Sequence, residues 1–241
     1  MADLVTYEQA DGVVHIRMDD GKVNVMSAAM LDALHVAFDR AATDGAAAVV
    51  LSGRSHVFSA GFDLKVLQGG AAAEVYAMLR AGAELALKIL AFPAPVITVT
   101  EGHAYPMGAF LMLAADMRLG AEGDWRVGLN EVRIGIAPPR FAVEVARQRL
   151  VPAYFSRTAV TGEMFGPAEA KAAGFIDQLV ARQGLPAAVE QAVETALSLH
   201  PASHRLAKQR ARGEVIARMR EVIDADITLD YAQEVVARRV A

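Results

Sequence analysis

Apolar and polar positions alternate in two short runs at the start of the chain, residues 4–8 and 13–18, with Asp11-Gly12 between them. A period of two marks half-buried strands, and Asp-Gly is a strong hairpin signal. The period then lengthens. Met30, Leu31, Leu34, Phe38 and Ala41 share one helical face, and Ser27 is placed to cap that helix. Residues 46–51 are a continuous apolar run ending in Ser52-Gly53, which predicts a strand buried on both faces. A loop from Gly53 to Gly61 leads to a short helix near Phe62-Asp63. Residues 74–91 predict a longer helix, stopped by Pro93 and Pro95.

Residues 96–99 predict another buried strand and 108–115 an apolar helix. Residues 118–119, 125–128 and 132–136 read as short extended pieces, and a helix over 141–150 follows Pro138-Pro139. Pro167 opens a helix that Gly174 ends, and residues 175–180 return as a strand. From Leu185 the chain is nearly all helix-forming, interrupted at Pro201. Strands alternate with helices to about residue 180, so the fold class is α/β. The pattern divides the chain into a core over 1–182 and a helical region over 183–241, whose apolar faces suit packing on a neighbour.

Composition narrows this picture. The chain has 241 residues, 54% of them hydrophobic, which excludes a disordered chain and a small stapled scaffold. A net charge of -4 without a long basic run argues against a nucleic-acid partner. With no cysteine, disulfides, thiolate metal sites and cysteine nucleophiles are excluded. The longest apolar stretches fall far short of the ~18–20 residues of a membrane span. Met1-Ala2-Asp3-Leu4 has neither the basic nor the apolar part of a secretory signal, and Arg239-Val240-Ala241 is not a peroxisomal address. The expectation is a soluble cytoplasmic protein without a membrane partner. Its apolar surplus then needs a subunit interface or an apolar ligand pocket.

Several chemistries drop out. His200 and His204 are four apart but straddle Pro201, which fits a surface pair better than a metal site. The Gly-x-Ser-x-Gly elbow, the phosphate loop and the dinucleotide fingerprint are all missing. Three segments remain. Residues 58–64 and 101–110 each run from a buried strand into a helix, with glycines that permit close backbone approach. Backbone N–H groups converging there could hold an oxyanion, although ordinary strand-to-helix turns look the same. In the third segment Glu131 is flanked by apolar residues and glycines. It is either a general base raised by desolvation or a solvent-facing glutamate.

Together these segments resemble the enoyl-CoA hydratase/isomerase (crotonase) family, over residues 13 to about 180. Ser59-Ala60-Gly61-Phe62-Asp63-Leu64 is the most specific match, joined by Pro167-Ala168-Glu169-Ala170 and Gly174-Phe175-Ile176-Asp177. The resemblance implies a spiral of ββα units with C-terminal helices that build a homotrimer or hexamer. It implies an acyl-CoA thioester substrate, with coenzyme A entering as part of the substrate and no cofactor or metal. The thioester oxygen would sit on the backbone N–H groups of Phe62 and Met107. The adenine and pantetheine arm would run along Lys22, Val23, Val25, Ala60 and Leu64, near Gly108. Lys22 and Lys65, with a basic residue of the C-terminal helices, would meet the phosphates.

One departure bears on the reaction. Hydratases of this family hold water between two glutamates, and the position of the first is Phe110 here, while the second is Glu131. One base with an oxyanion hole suffices for a proton shuttle. The resemblance therefore implies a Δ3,Δ2-enoyl-CoA isomerase, closest to the mitochondrial type. Gly128-Leu129-Asn130-Glu131, Gly135-Ile136-Ala137-Pro138 and Pro106-x-Gly108 also match that type. The alternatives are a hydratase or other family lyase recruiting Glu101 or Asp124, and a non-catalytic acyl-CoA-binding protein. His103, close to the second turn, is a further candidate to face the pocket.

Overall fold

The structure, a computed structural model, describes residues 3–237. Met1-Ala2 and Arg239-Val240-Ala241, read above for targeting signals, lie outside the described residues. Strands β1 (Val5–Ala10) and β2 (Val13–Met18) pair antiparallel. Asp11 and Gly12 both adopt positive φ, 50° and 79°, as a two-residue turn matched to strand twist requires. Strand β3 (Val25–Met26) leads into α1 (Ala28–Thr43), where the Ser27 side chain accepts the Met30 N–H. All five apolar positions expected on its inner face are buried.

In β4 (Ala48–Ser52), Val49 and Leu51 face one apolar cluster while Ala48 and Val50 face another. That two-sided burial is why the run has no polar alternation. Then come β5 (Val57–Ser59), β6 (Gly61–Phe62), α2 (Leu64–Gly69) and α3 (Ala72–Ala91). A similar order recurs. β7 (Val96–Thr100) and β8 (His103–Ala104) feed α4 (Pro106–Ala114). β9 (Met117–Ala121) and β10 (Val127–Gly128) feed a 3-10 turn (Glu131–Ile134) and α5 (Arg140–Arg149). The chain continues through α6 (Pro152–Ala159), β11 (Met164–Phe165), α7 (Pro167–Ala173) and β12 (Gln178–Val180). It ends in α8 (Leu185–Leu197), α9 (Pro201–Asp226) and α10 (Leu229–Ala237).

Strands β4, β7 and β9 are parallel neighbours in a six-stranded sheet of order β1-β2-β4-β7-β9-β12. Strands β5, β8 and β10 are parallel neighbours in a second sheet of order β11-β10-β8-β5, and β3 pairs β6. Each turn of this α/β spiral therefore adds one long strand to the first sheet and one short strand to the second. The turns that follow β5, β8 and β10 are brought side by side, and these are the three segments singled out above. The repeat lies in topology, not in residue identity.

Some expected elements differ. Residues 132–136 form no strand. Glu131–Ile134 is a 3-10 turn closed by Gly135 at φ 77°, because a left-handed glycine ends the extended path that valine and isoleucine favour. Only Val127–Gly128 of 125–128 is a strand, since Trp125 instead turns inward and donates its indole N–H to the Ala121 carbonyl at 2.7 Å. Phe175 and Ile176 are buried before β12 begins. Pro201 starts α9, where the missing proline N–H costs nothing. Helix α6 was not anticipated.

The C-terminal helices pack on the chain's own core. Leu185, Ala192 and Ala196 of α8 cover the outer sheet face, while Met219, Val222 and Ile223 of α9 and Ala232 and Val235 of α10 join the main cluster. Asp116 anchors α9. Its carboxylate meets Lys208 at 2.7 Å and Arg212 at 3.0 Å, and Lys208 also donates to the Phe92 carbonyl at 2.8 Å.

Candidate active site

The first turn is built around Ser59. Its hydroxyl donates to the Asn24 carbonyl at 2.7 Å and accepts the Gly61 N–H at 3.0 Å. Gly61 has φ 86°, a conformation that penalises any Cβ. The preceding loop is organised by Asp20, whose carboxylate accepts the N–H groups of Lys22, Asn24 and Val25. Burial opposes its ionisation, but these donors outweigh it and hold the Asp20 carboxyl below the usual range. Asn24 is fully buried and bridges the Met18 and Phe58 carbonyls. Asp63 caps α2 by accepting the Lys65 N–H at 2.8 Å. One N–H of that helix start is therefore already taken, and the Asp63 carboxylate disfavours an anion there.

The second turn docks on the first. The Tyr105 N–H donates to the Ser59 carbonyl at 2.9 Å. A Cβ on Gly108 would lie 2.8 Å from the Ser59 Cβ, and one on Gly61 would lie 3.8 Å from the Met107 nitrogen. The first distance excludes a side chain at residue 108, whereas at residue 61 it is the positive φ that calls for glycine. Pro106 occupies the first turn of α4 and no side chain caps that helix, so the Met107 N–H has no side-chain acceptor.

The third segment delivers Glu131. The Leu129 N–H donates to Thr158 Oγ1 at 2.9 Å, and that hydroxyl donates to the Glu163 carbonyl at 3.0 Å. Two residues on, Glu131 is 7% exposed and neither carboxylate oxygen has a hydrogen-bond partner. Desolvation pushes its pKa up to about 7.

The three segments enclose a cavity of about 330 Å³. Ala60, Phe62, Leu64, Phe110 and Glu131 line it. Glu131 is the one carboxylate among its described lining residues. Phe110 is buried on the wall, its ring edge-to-face with Phe141 at 5.6 Å. Met107 and Gly108 are buried behind the lining. Lys22, Val25 and Lys65 line a neighbouring cavity with Asp20 and Asp63, whereas Val23 is exposed and lines neither. Of the helix region around residues 66–78 expected to line the acyl pocket, Leu67 does so, with Leu79 just beyond it.

Other candidates fall away. Glu101 pairs with Arg182 at 2.9 Å, Asp124 is exposed, and neither reaches the cavity. His103 Nδ1 accepts the Arg126 N–H at 3.1 Å, and its ring stacks on Tyr105. No group of three His, Asp or Glu among the described residues is placed to hold a metal. None of the described helices is long and apolar enough to cross a membrane. Asn24, Thr158, Tyr105 and Tyr231 were missed. Tyr231, on α10, lines the cavity and donates to the Ala137 carbonyl at 3.0 Å. Asn24, between Lys22 and Val25, and Tyr105, within residues 101–110, carried a local hint, and the other two did not.

A spiral of paired strands closing three turns over one buried carboxylate is the crotonase architecture. The chain belongs to the enoyl-CoA hydratase/isomerase family, whose model matches residues 8–238, and is an enzyme of that family. It is similar to human mitochondrial enoyl-CoA delta isomerase 1, 25% identical over 227 residues, covering 93% of this chain and 75% of the human one. It is also similar to the solved structure of an Mtb enoyl-CoA isomerase (37% identity, TM-score 0.87, 93% of this chain and 97% of that one). An enoyl-CoA hydratase from Mycobacterium marinum is comparably alike (41% identity, TM-score 0.86, 92% and 96%). Relatives named for both reactions thus share this fold.

Proposed function

We propose that the protein is a Δ3,Δ2-enoyl-CoA isomerase, converting 3-enoyl-CoA to trans-2-enoyl-CoA. The observation that carries this reading is the solitary Glu131 carboxylate, unpartnered and raised to about 7, in a cavity walled by Phe110. Hydration needs a water held and activated, and a carboxylate facing a phenyl ring holds it poorly. A proton shuttle needs only one base. Glu131 takes a proton from C2, the dienolate oxygen rests on the Phe62 and Met107 N–H groups, and Glu131 returns the proton to C4. Donors aimed where charge develops lower the barrier without reorganising. The apolar wall keeps water from the intermediate and keeps Glu131 basic.

In this reading coenzyme A arrives with the substrate, Lys22 and Lys65 meet its phosphates, and no cofactor takes part. A homotrimer or hexamer in the cytoplasm is the proposed setting. The hydratase reading draws support from the similarity to the M. marinum protein. The test compares 3-hexenoyl-CoA with crotonyl-CoA in 18O-labelled water. Isomerisation of the first with little labelled product from the second is expected, and efficient incorporation of label would overturn the proposal.

A further inference from the structure

We infer that the acyl site is a closed-ended pocket sized for medium chains, of about eight to ten carbons, and that Leu79 sets that limit. This rests on the acyl-CoA reading of the cavity but not on which reaction occurs there. Two lining residues are well exposed, Leu64 at 50% and Ile134 at 41%, and they mark the mouth. Leu67, Leu79, Phe141 and Val235, by contrast, are buried lining residues. They come from α2, α3, α5 and α10, so the lining away from the mouth is walled from several directions.

The walls differ in how far they can yield. Phe110 and Phe141 brace each other edge-to-face, and neither ring can swing without losing the other. Helix α10 is held by the Tyr231 hydroxyl on the Ala137 carbonyl and by fully buried Ala232. Leu79 stands on α3, which packs against α1, α4, α9 and α10 and cannot retreat. A methylene fills roughly the ~30 Å³ of a water molecule, so 330 Å³ accommodates on the order of ten heavy atoms. The thioester carbon and oxygen share that space. A longer tail meets the buried end.

The experiment measures binding of saturated acyl-CoA thioesters from butyryl to palmitoyl by calorimetry, alongside turnover of 3-enoyl-CoA thioesters of matching length. Affinity is expected to rise about fourfold per added methylene, then stop rising near C8–C10. Palmitoyl-CoA should bind at least tenfold more weakly than decanoyl-CoA. Leu79→Ala should move the limit longer by about three carbons, the number removed, and Leu79→Phe should move it shorter. Opposite shifts cannot come from general damage to the fold. Equal affinity for palmitoyl- and decanoyl-CoA would overturn the inference, as would a limit that neither variant moves. A length limit in binding without any isomerisation would sustain it while removing the isomerase reading.

Discussion

Gly82 and Phe62 meet so closely that a Cβ on the glycine would lie 2.6 Å from the phenyl ring. The same Cβ would lie 3.0 Å from Met107 Sδ. The two residues proposed to supply the oxyanion hole therefore rest on one position of α3. A glycine inside a helix ordinarily costs about 0.5–1 kcal/mol relative to alanine. Gly82→Ala should nonetheless destabilise, by about 1–3 kcal/mol, because the ring is confined. The larger effect should fall on turnover, since moving Phe62 and Met107 displaces both turns. We expect kcat to drop at least tenfold while Glu131 keeps its pKa, read from the pH profile. Unchanged kcat would separate these side chains from the site.

Glu131 couples activity and stability with opposite signs. Its pKa is about 7 in the folded protein against 4.5 ordinarily, so the folded state binds the proton more tightly than the unfolded chain. Stability is then highest below the unfolded value and falls as pH rises from about 4.5 through 7, by on the order of 3 kcal/mol. Activity rises over the same window, because the base must be ionised. Glu131→Gln should flatten the fall in melting temperature with pH and remove most isomerisation. Retention of more than a tenth of the activity would point to another base.

Asp116 gives a prediction remote from the chemistry. Lys208 and Arg212 of α9 are buried against it, and burial lowers the pKa of both. Removing the anion leaves two buried cations whose other acceptors are the Leu90, Phe92 and Ala94 carbonyls. Asp116→Ala should cost about 3–5 kcal/mol in urea unfolding. Replacing Lys208 with methionine keeps Arg212 paired and should cost less. Equal losses would mean that Arg212 contributes nothing.

How far the sequence could be read depended on the separation of the interacting groups. The Asp11-Gly12 turn, the Ser27 cap and the α1 face are local, and each was legible from spacing alone. Glu131 was legible as a carboxylate among apolar residues, though only the structure shows both its oxygens without partners. Residues 132–136 misled because β-branched side chains lost to Gly135, one residue with a left-handed backbone. Contacts across distant elements left no trace. Tyr231 reaches Ala137 across 94 positions, and Lys208 reaches Asp116 across 92. Docking of the second turn on Ser59 likewise depends on β5 and β8 lying side by side, which no single segment encodes.

Phe110→Glu tests whether the absence of a second carboxylate governs the reaction. The new side chain would enter the wall of a cavity whose lining already holds Glu131. Two carboxylates sharing an apolar site cannot both ionise easily, so one pKa should rise further and the pair should hold a proton between them. That pair could bind and activate water where a phenyl ring cannot. Stability should fall by about 3–5 kcal/mol, since an aromatic core contact with Phe141 is lost and a polar group is buried. Measured on the fraction that remains folded, hydration of crotonyl-CoA should appear and isomerisation of 3-hexenoyl-CoA should decline. A folded variant without labelled product from 18O water would mean that the choice of reaction does not turn on this position alone.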